Sequence, residues 1–232
     1  MKIDKYIASK GFTSRRKAII LIEEKRVKVN NKLAKLSTEV KEGDVILIND
    51  EELKTPDIIP TIIAYNKPKG VVCTTEKIHN NIIDVIKHPQ TIYPIGRLDK
   101  DSEGLILLTN QSELINRIAH SKFEHEKEYL VTLNLPVRNQ FLKEISEGVE
   151  ILGEKTKPCK ASIEPGTKRV FRIILTQGLN RQIRRMCNAY NYQVIKLQRV
   201  RVMNIKLDNL KPGEWRDLTN DELSELNVLL SE

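Results

Sequence analysis

Apolar residues in the first fifty positions follow a helical spacing and then a strand-like one. They recur every three or four positions over residues 3–7 and 18–22, and Ser14 stands where it can cap the second stretch. The strand signals that follow are alternation over residues 27–29, two asparagines suited to a tight turn at 30–31, and the run "GDVILI". Residues 1–49 are therefore predicted to form a helix pair followed by a small sheet.

Prolines and acidic residues interrupt this pattern at 50–60, which we interpret as a linker to a second domain, 61–232. The strand candidates of that domain are "TIIAYNKP", "GVVCTT", "GLILLTN", "EYLVTLNL", "CKASIEP", "VFRIILTQG" and "YQVIKLQRVRVMNIKL". Its helix candidates are "NIIDVIKH", "SELINRIAH", "VRNQFLKEISEG" and "NRQIRRMCNAY". Because strands mostly follow strands, the sequence predicts an α+β fold built on a mainly antiparallel sheet.

Positive charge is concentrated in one segment of the second domain. The whole chain has a net charge of +8, from 39 Lys and Arg against 31 Asp and Glu. Residues 168–206 include ten Lys or Arg and neither Asp nor Glu, whereas a solvated surface normally mixes the two signs. The segment therefore indicates a polyanionic partner such as nucleic acid.

Neither membrane attachment nor a bound cofactor is indicated by the sequence. It has no apolar run of the roughly eighteen residues that cross a bilayer, and charges occupy the place of a signal peptide's apolar core. We therefore expect a cytoplasmic protein with no membrane partner. The three cysteines share no CxxC spacing and no nucleotide-binding or metal-binding motif occurs, so no metal and no cofactor are expected.

One loop of the second domain places charged residues between two apolar stretches. In "PIGRLDKDSEGLILLTN", Arg97 and Asp99 shortly precede an uninterrupted run of four apolar residues. Taken alone, the loop could be a tight turn with a satisfied aspartate. Held against a core and beside positive charge, Asp99 would instead remain ionised and suited to nucleophilic attack or proton abstraction. A glycosidase-like partner at Asp101 or Glu103 is disfavoured, because both lie in the same polar turn.

The first domain resembles the S4 RNA-binding domain in the segments "KIDKYIASKGFTSRRKA", "LIEEKRVKVNN" and "VKEGDVI". Lys25 and Asn31 stand where that family usually has glycine, which affects the local backbone more than the surface that meets RNA. The first turn of the second helix contains Arg15, Arg16 and Lys17. Basic side chains and free N–H groups at a helix start bind phosphate together, so these three residues are predicted RNA contacts.

The second domain resembles pseudouridine synthases of the RsuA type in the segments "NKPKG", "PIGRLDKDSEGLILLTN", "KEYLV" and "GLNRQIRRMC", which occur in family order. The match continues to "GEWRDLTNDEL", and the branch it most resembles is RluF, which modifies a uridine in large-subunit (23S) ribosomal RNA. The resemblance implies isomerisation of uridine to pseudouridine without a cofactor. It also implies that Asp99 is the catalytic carboxylate, that Tyr129 packs on the target base and assists proton removal from its carbon-5, and that Arg184 pairs with the aspartate.

The resemblance further implies that RNA is the partner, bound largely through its phosphates. The expected contacts in this domain are Arg97, Asn180, Arg181, Arg185, Arg199 and Arg201. Arg199 and Arg201 alternate along a predicted strand and are expected to share the face that borders the cleft. We expect a monomer that acts on RNA and not on DNA. Two alternatives stay open: the same chemistry on transfer RNA, and a catalytically silent protein that binds RNA or assists ribosome assembly.

Overall fold

A computed structural model describes residues 1–53, 59–76 and 78–231. The chain divides into two compact units, Met1–Pro60 and Thr61–Glu232. The predicted linker, 50–60, begins too early, because Glu51–Glu52 form an edge strand of the first unit and Leu53 packs against its core. Residues 54–58 of that predicted linker lie outside the described part of the chain.

The first unit is a helix pair on a small antiparallel sheet. Its elements are α1 Ile3–Ser9, α2 Arg15–Glu23, β1 Val27–Val29, β2 Lys32–Leu33, β3 Ile46–Ile48 and β4 Glu51–Glu52. The strands lie in the order β2-β1-β3-β4. Ser14 caps α2 by accepting a hydrogen bond from the Lys17 N–H at 3.3 Å, and Asn30 and Asn31 both adopt positive φ in the β1–β2 turn. Lys25, which replaces the usual glycine, also has positive φ, at 58°.

The second unit contains eleven strands and five α-helices within its described residues. The strands are β5 Ile62–Lys67, β6 Tyr93–Ile95, β7 Glu103–Thr109, β8 Lys127–Leu133, β9 Glu150–Ile151, β10 Glu154–Lys155, β11 Lys160–Ile163, β12 Val170–Leu175, β13 Val194–Val202, β14 Ile205–Lys206 and β15 Trp215–Asp217. The helices are α3 Ile82–Ile86, α4 Ser112–Ala119, α5 Asn139–Ser146, α6 Gln182–Ala189 and α7 Asn220–Ser231, with a 3₁₀ turn at Ser121–Phe123. Within these residues no helix is long and apolar enough to span a bilayer.

One nine-stranded sheet organises the second unit. Seven strands follow the order β11-β12-β8-β13-β7-β5-β15, while β14 pairs with β13 and β6 pairs with β7. Every pair is antiparallel except β13 and β7, which meet in parallel where Gln198 faces Glu103 and Arg199 faces Gly104. The predicted α+β class with a mainly antiparallel sheet is therefore confirmed.

The central strand β7 is buried on both faces of this sheet. Leu105 and Leu107 join one apolar cluster, whereas Ile106 and Leu108 join another. A strand covered on both faces needs apolar residues at every position, which explains the uninterrupted run in its sequence. The strand thus anchors the loop that enters it, residues 96–102, against a rigid core.

Two expectations about individual elements were wrong, and several elements were not predicted. The segment "GVVCTT" forms no strand and contributes one isolated bridge, between Val72 and Asn81. The long strand predicted over 192–207 is a hairpin, because Met203 adopts positive φ and separates β13 from β14. Strands β6, β9, β10 and β15 and helix α7 were not anticipated, since most are too short or too polar to show a clear period.

Candidate active site

The loop at residues 96–102 holds Asp99 between two buried anchors. Ile95 and Leu98 are 5% and 7% exposed, and the Leu98 N–H points at Cys73 Sγ at 3.4 Å. The Ser102 N–H donates to the Asp99 carbonyl at 3.0 Å, which closes the turn. The backbone is therefore fixed, while the Asp99 side chain stays 32% exposed.

Gly104 sets the distance between this loop and strand β13. Its φ is +103°, and a Cβ at this position would lie 2.3 Å from the Arg199 carbonyl oxygen. Only glycine allows the two backbones to approach this closely in the parallel β7–β13 pair. The contact brings the end of the Asp99 loop against Arg199.

A buried lysine fixes the conformation of the neighbouring segment, residues 67–71. Lys67 of "NKPKG" is fully buried, and its Nζ donates to the carbonyls of Pro68 and Val71, each at 2.9 Å. Burial lowers the pKa of Lys67, although nearby acidic groups that include Glu103 and Asp99 oppose the shift. The same segment contacts the Asp99 loop through the Gly70 N–H, which donates to the Lys100 carbonyl at 2.8 Å.

Asp99 and Tyr129 line one cavity of about 440 Å³. Its wall also includes four of the predicted RNA contacts, namely Arg97, Asn180, Arg181 and Arg199. Tyr129 is half-buried on β8 and lies opposite Arg199 of β13 in the sheet register. The structure thus brings Asp99 together with Tyr129 and Arg199, which lie 30 and 100 positions further along the chain.

Arg181, not Arg184, is the arginine that faces the carboxylate of Asp99. The Arg181 Nη1 lies 4.0 Å from Asp99 Oδ2 and 3.9 Å from Asp101 Oδ2. Arg184 instead donates to the carbonyls of Asp101 and Val194, each at 3.1 Å, and its Nε is buried with no partner among the described residues. The predicted pairing of Arg184 with Asp99 is not formed in this structure, where backbone carbonyls hold the Arg184 guanidinium.

Arg199 and Arg201 do not share one face as predicted. A register shift between them in the β13–β8 pair breaks the alternation of the strand. Arg199 is 3% exposed, lines the cavity, and donates from Nε to the Leu105 carbonyl at 2.6 Å. Arg201 lines a different cavity and pairs with Glu128 at 2.6 Å and with Glu126 at 2.8 Å. Arg201 is consequently neutralised by carboxylates and is unsuited to a phosphate contact.

The remaining predicted RNA contacts differ in how free their charges are. Arg97 and Arg185 are exposed, but Arg185 donates back to the Asn180 carbonyl at 3.0 Å. In the first unit, Arg16 and Lys17 are exposed, whereas Arg15 pairs with the buried Asp4 at 2.5 Å. Burial alone would raise the pKa of Asp4, but the hydrogen bond and charge of Arg15 outweigh it and lower that pKa. The charge of Arg15 is therefore already paired within the protein, whereas Arg16 and Lys17 stay available to a phosphate.

Lys127 is a cavity residue that the sequence analysis did not single out. It begins the "KEYLV" segment, lines the same cavity as Asp99, and donates from Nζ to the His125 carbonyl at 2.9 Å. Burial, together with the charge of Arg199, lowers the pKa of Lys127 to about 8. The available signal was its position two residues before Tyr129, which places both side chains on one face of a strand.

Comparison with known proteins identifies the family of this chain. Residues 61–189 match the model of the family described as RNA pseudouridylate synthase, and residues 1–46 match the S4 domain. The chain belongs to the RNA pseudouridylate synthase family. RNA pseudouridylate synthases are isomerases that act on RNA, so the predicted class of enzyme and the predicted S4 domain are confirmed.

Individual relatives extend the likeness to RNA pseudouridylate synthases over almost the whole chain. The dual-specificity RNA pseudouridine synthase RluF of Escherichia coli (strain K12) is 48% identical over 99% of this chain and 79% of its own length. The ribosomal large subunit pseudouridine synthase B of Bacillus subtilis (strain 168) is 36% identical over 98% of this chain and 96% of its own. A crystal structure described as pseudouridylate synthase superposes with a TM-score of 0.72 at 31% identity, covering 97% of this chain and 99% of that one.

Proposed function

We propose that this chain converts a specific uridine of large-subunit (23S) ribosomal RNA to pseudouridine, with Asp99 as the catalytic carboxylate. The observation that carries the proposal is the shared cavity of Asp99 and Tyr129 in a chain that is 48% identical to RluF. The name of the Bacillus relative, a ribosomal large subunit pseudouridine synthase, supports the choice of RNA.

The reaction requires a carboxylate that is ionised and fixed in position. Uracil must leave ribose at nitrogen, turn, and rejoin through carbon-5, with no net change in atoms. Asp99 either attacks the sugar carbon or removes a sugar proton to start this exchange, and both routes use an anionic oxygen. The buried anchors on either side of Asp99 supply the fixed geometry, and Arg181 supplies positive charge at 4.0 Å.

Tyr129 and Arg97 suit the handling of a flipped nucleotide. A base cannot be reached within a helix, so the target uridine must leave the stack and enter the cavity. The ring of Tyr129 offers a surface for stacking, which contributes roughly 1 to 3 kcal/mol per base. Arg97, exposed at the cavity wall, is placed to hold a phosphate of the opened strand.

The S4 unit supplies a second region of RNA contact. Arg16 and Lys17 are exposed in the first turn of α2, whose free N–H groups favour an anion. We propose that the protein acts as a monomer, in the cytoplasm, and on RNA rather than on DNA.

The test is a map of pseudouridines in ribosomal RNA. The gene would be deleted, and RNA treated with carbodiimide would be read by primer extension. We expect one stop in 23S RNA to disappear in the deletion strain and to return when the purified protein acts on that RNA. Unchanged 23S RNA, together with absence of activity on unmodified transcripts, would contradict the proposed substrate.

Transfer RNA is a second candidate substrate, favoured by one observation. The Escherichia coli relative RluF is named a dual-specificity RNA pseudouridine synthase, which supports a second class of RNA as a target of this chain. The same map, read on transfer RNA from both strains, decides between one substrate and two. A silent RNA-binding protein would leave both maps unchanged and release no tritium from RNA labelled at uracil carbon-5.

A further inference from the structure

Two basic side chains form the inner wall of the cavity, and the catalytic roles described above use neither. We call Lys127 and Arg199 the inner cation pair. They belong to neighbouring strands, β8 and β13, and both line the cavity of Asp99. Lys127 lies on the same face of β8 as Tyr129, and Arg199 lies directly opposite Tyr129. The inner cation pair therefore flanks the ring on which the base is expected to stack.

Positive charge in the inner cation pair is only partly compensated. Lys127 donates to a backbone carbonyl, and Arg199 donates from Nε to another. The Nη2 of Arg199 is buried and has no hydrogen-bond partner within the described chain. Leaving a guanidinium nitrogen buried and unpaired is costly, which indicates that a further group completes this wall during function.

The carboxylates nearest in sequence are turned elsewhere. Glu126 and Glu128 flank Lys127 on its own strand, and both pair with Arg201. Glu128 also bonds Arg172. Neither glutamate lines the cavity of Asp99 among the described residues. The inner cation pair thus faces the cavity without a glutamate to neutralise it, and an anionic ligand fits it best.

An ordinary phosphate contact does not fit this position. Phosphate-binding arginines are normally exposed, as Arg97 is, whereas Arg199 is 3% exposed and lies among apolar wall residues such as Leu175 and Leu197. A flat, delocalised anion that enters beside Tyr129 would meet both cations. The base itself becomes such an anion during the reaction.

We propose that Lys127, supported by Arg199, is a catalytic residue that stabilises the negative charge of uracil once it has separated from ribose. The proposal rests on the proposed function and assigns a residue role beyond it. Lys127 donates a hydrogen bond to a carbonyl oxygen of uracil, and Arg199 adds positive charge from a side chain that is only 3% exposed, where an electrostatic interaction is screened less than in water.

When the bond between C1′ and N1 breaks, its electron pair stays on uracil and spreads over N1 and the two carbonyl oxygens. The sugar is held as an ester of Asp99, or has given a proton to it. The uracil anion then forms a bond from C5 to C1′, the ester bond breaks or the proton returns, the C5 proton is lost to a base, and N1 gains a proton. The inner cation pair is unchanged at the end.

The test compares Lys127→Met, Lys127→Arg and the matched control Lys155→Met, an exposed lysine on β10. Single-turnover tritium release from C5-labelled RNA measures the chemical step, and filter binding measures RNA affinity. We expect Lys127→Met to slow the chemical step about 100-fold, in line with the loss of one preorganised donor, and to leave affinity within about three-fold. Lys127→Arg should recover much of the rate, and Lys155→Met should match wild type.

A second substrate separates stabilisation of the leaving base from other roles. Fluorine at C5 makes the uracil anion more stable by itself. Lys127→Met should therefore slow the consumption of 5-fluorouridine at the target position less than it slows the reaction of uridine. The proposal is overturned if both substrates slow equally, or if affinity and its salt dependence fall while the chemical step is unchanged, which would make Lys127 a phosphate contact. Wild-type protein inactive on every RNA would instead refute the proposed function. Retained RNA binding by Lys127→Met shows that the variant is folded.

Discussion

The contact between Gly104 and Arg199 makes a quantitative prediction about stability. In Gly104→Ala the new Cβ would lie 2.3 Å from the Arg199 carbonyl oxygen and 2.7 Å from its nitrogen. Backbone atoms within a sheet cannot move aside easily, so β7 and β13 must separate. The parallel pairing that positions the Asp99 loop would then be lost.

Two costs add in this variant. A side chain held at φ near +103° costs roughly 1 to 3 kcal/mol, and overpacking against fixed atoms costs roughly 1 to 3 kcal/mol more. We expect a total of about 4 kcal/mol, which lowers the melting temperature of a chain of this size by roughly 8 to 16 °C. Activity should fall as well, since the loop end shifts relative to the cavity.

Gly166→Ala is the matched control for this measurement. Gly166 also has positive φ, +75°, but nothing lies within 4 Å of its would-be Cβ. Thermal and urea unfolding should therefore show that Gly166→Ala lowers the free energy of unfolding by the backbone cost alone. Gly104→Ala should lower it by more. If the free energies of unfolding of the two variants differ by less than about 0.5 kcal/mol, the close approach of β7 and β13 does not require glycine at position 104.

Two further predictions concern charge. Burial would raise the pKa of Glu128, but the hydrogen bonds and charges of Arg201 and Arg172 outweigh burial and lower that pKa. Ionised Glu128 therefore stabilises the fold at neutral pH, and this contribution is lost as the pH falls through the pKa of Glu128 in the folded state. The melting temperature of wild type should consequently decline from about pH 6 to about pH 3 more steeply than that of Glu128→Gln, and equal slopes in thermal melts would refute this. Arg16→Ala should weaken RNA binding and reduce the slope of log affinity against log salt concentration by about one unit. Arg15→Ala removes the partner of Asp4, so it should destabilise the S4 unit and change that slope less. Identical salt slopes for the two variants would count against Arg16 as the phosphate contact.

Local sequence signals predicted the elements of this fold better than their pairing. The helix cap at Ser14, the asparagine turn at 30–31 and the buried strand β7 each depend on residues close in the chain, and the structure shows all three. The parallel contact of β7 with β13 joins positions almost a hundred residues apart, and no local period reports it. Short edge strands such as β15 are held by their neighbours and not by their own pattern.

The candidate site shows the same limit at the level of side chains. Family motifs brought attention to Asp99 and Tyr129, and their place on one cavity depends on strand register. The motifs do not distinguish Arg181 from Arg184, because both arginines lie in the same basic segment. Only the structure shows that Arg181 faces the Asp99 carboxylate and that Arg184 donates to backbone carbonyls. The sequence did not predict Lys127 as a cavity residue, because an isolated lysine in a strand usually points to solvent.

We propose that the carboxylate of Asp99 performs the chemistry and does not merely support the cavity. Asp99→Asn keeps the size of the side chain and removes its charge. Single-turnover tritium release and RNA affinity, measured on the same preparation, test the claim directly. We expect Asp99→Asn to release no detectable tritium and to bind RNA within about three-fold of the wild-type affinity, since phosphate contacts elsewhere provide most of the binding. Release by Asp99→Asn at a rate within about ten-fold of wild type would contradict it.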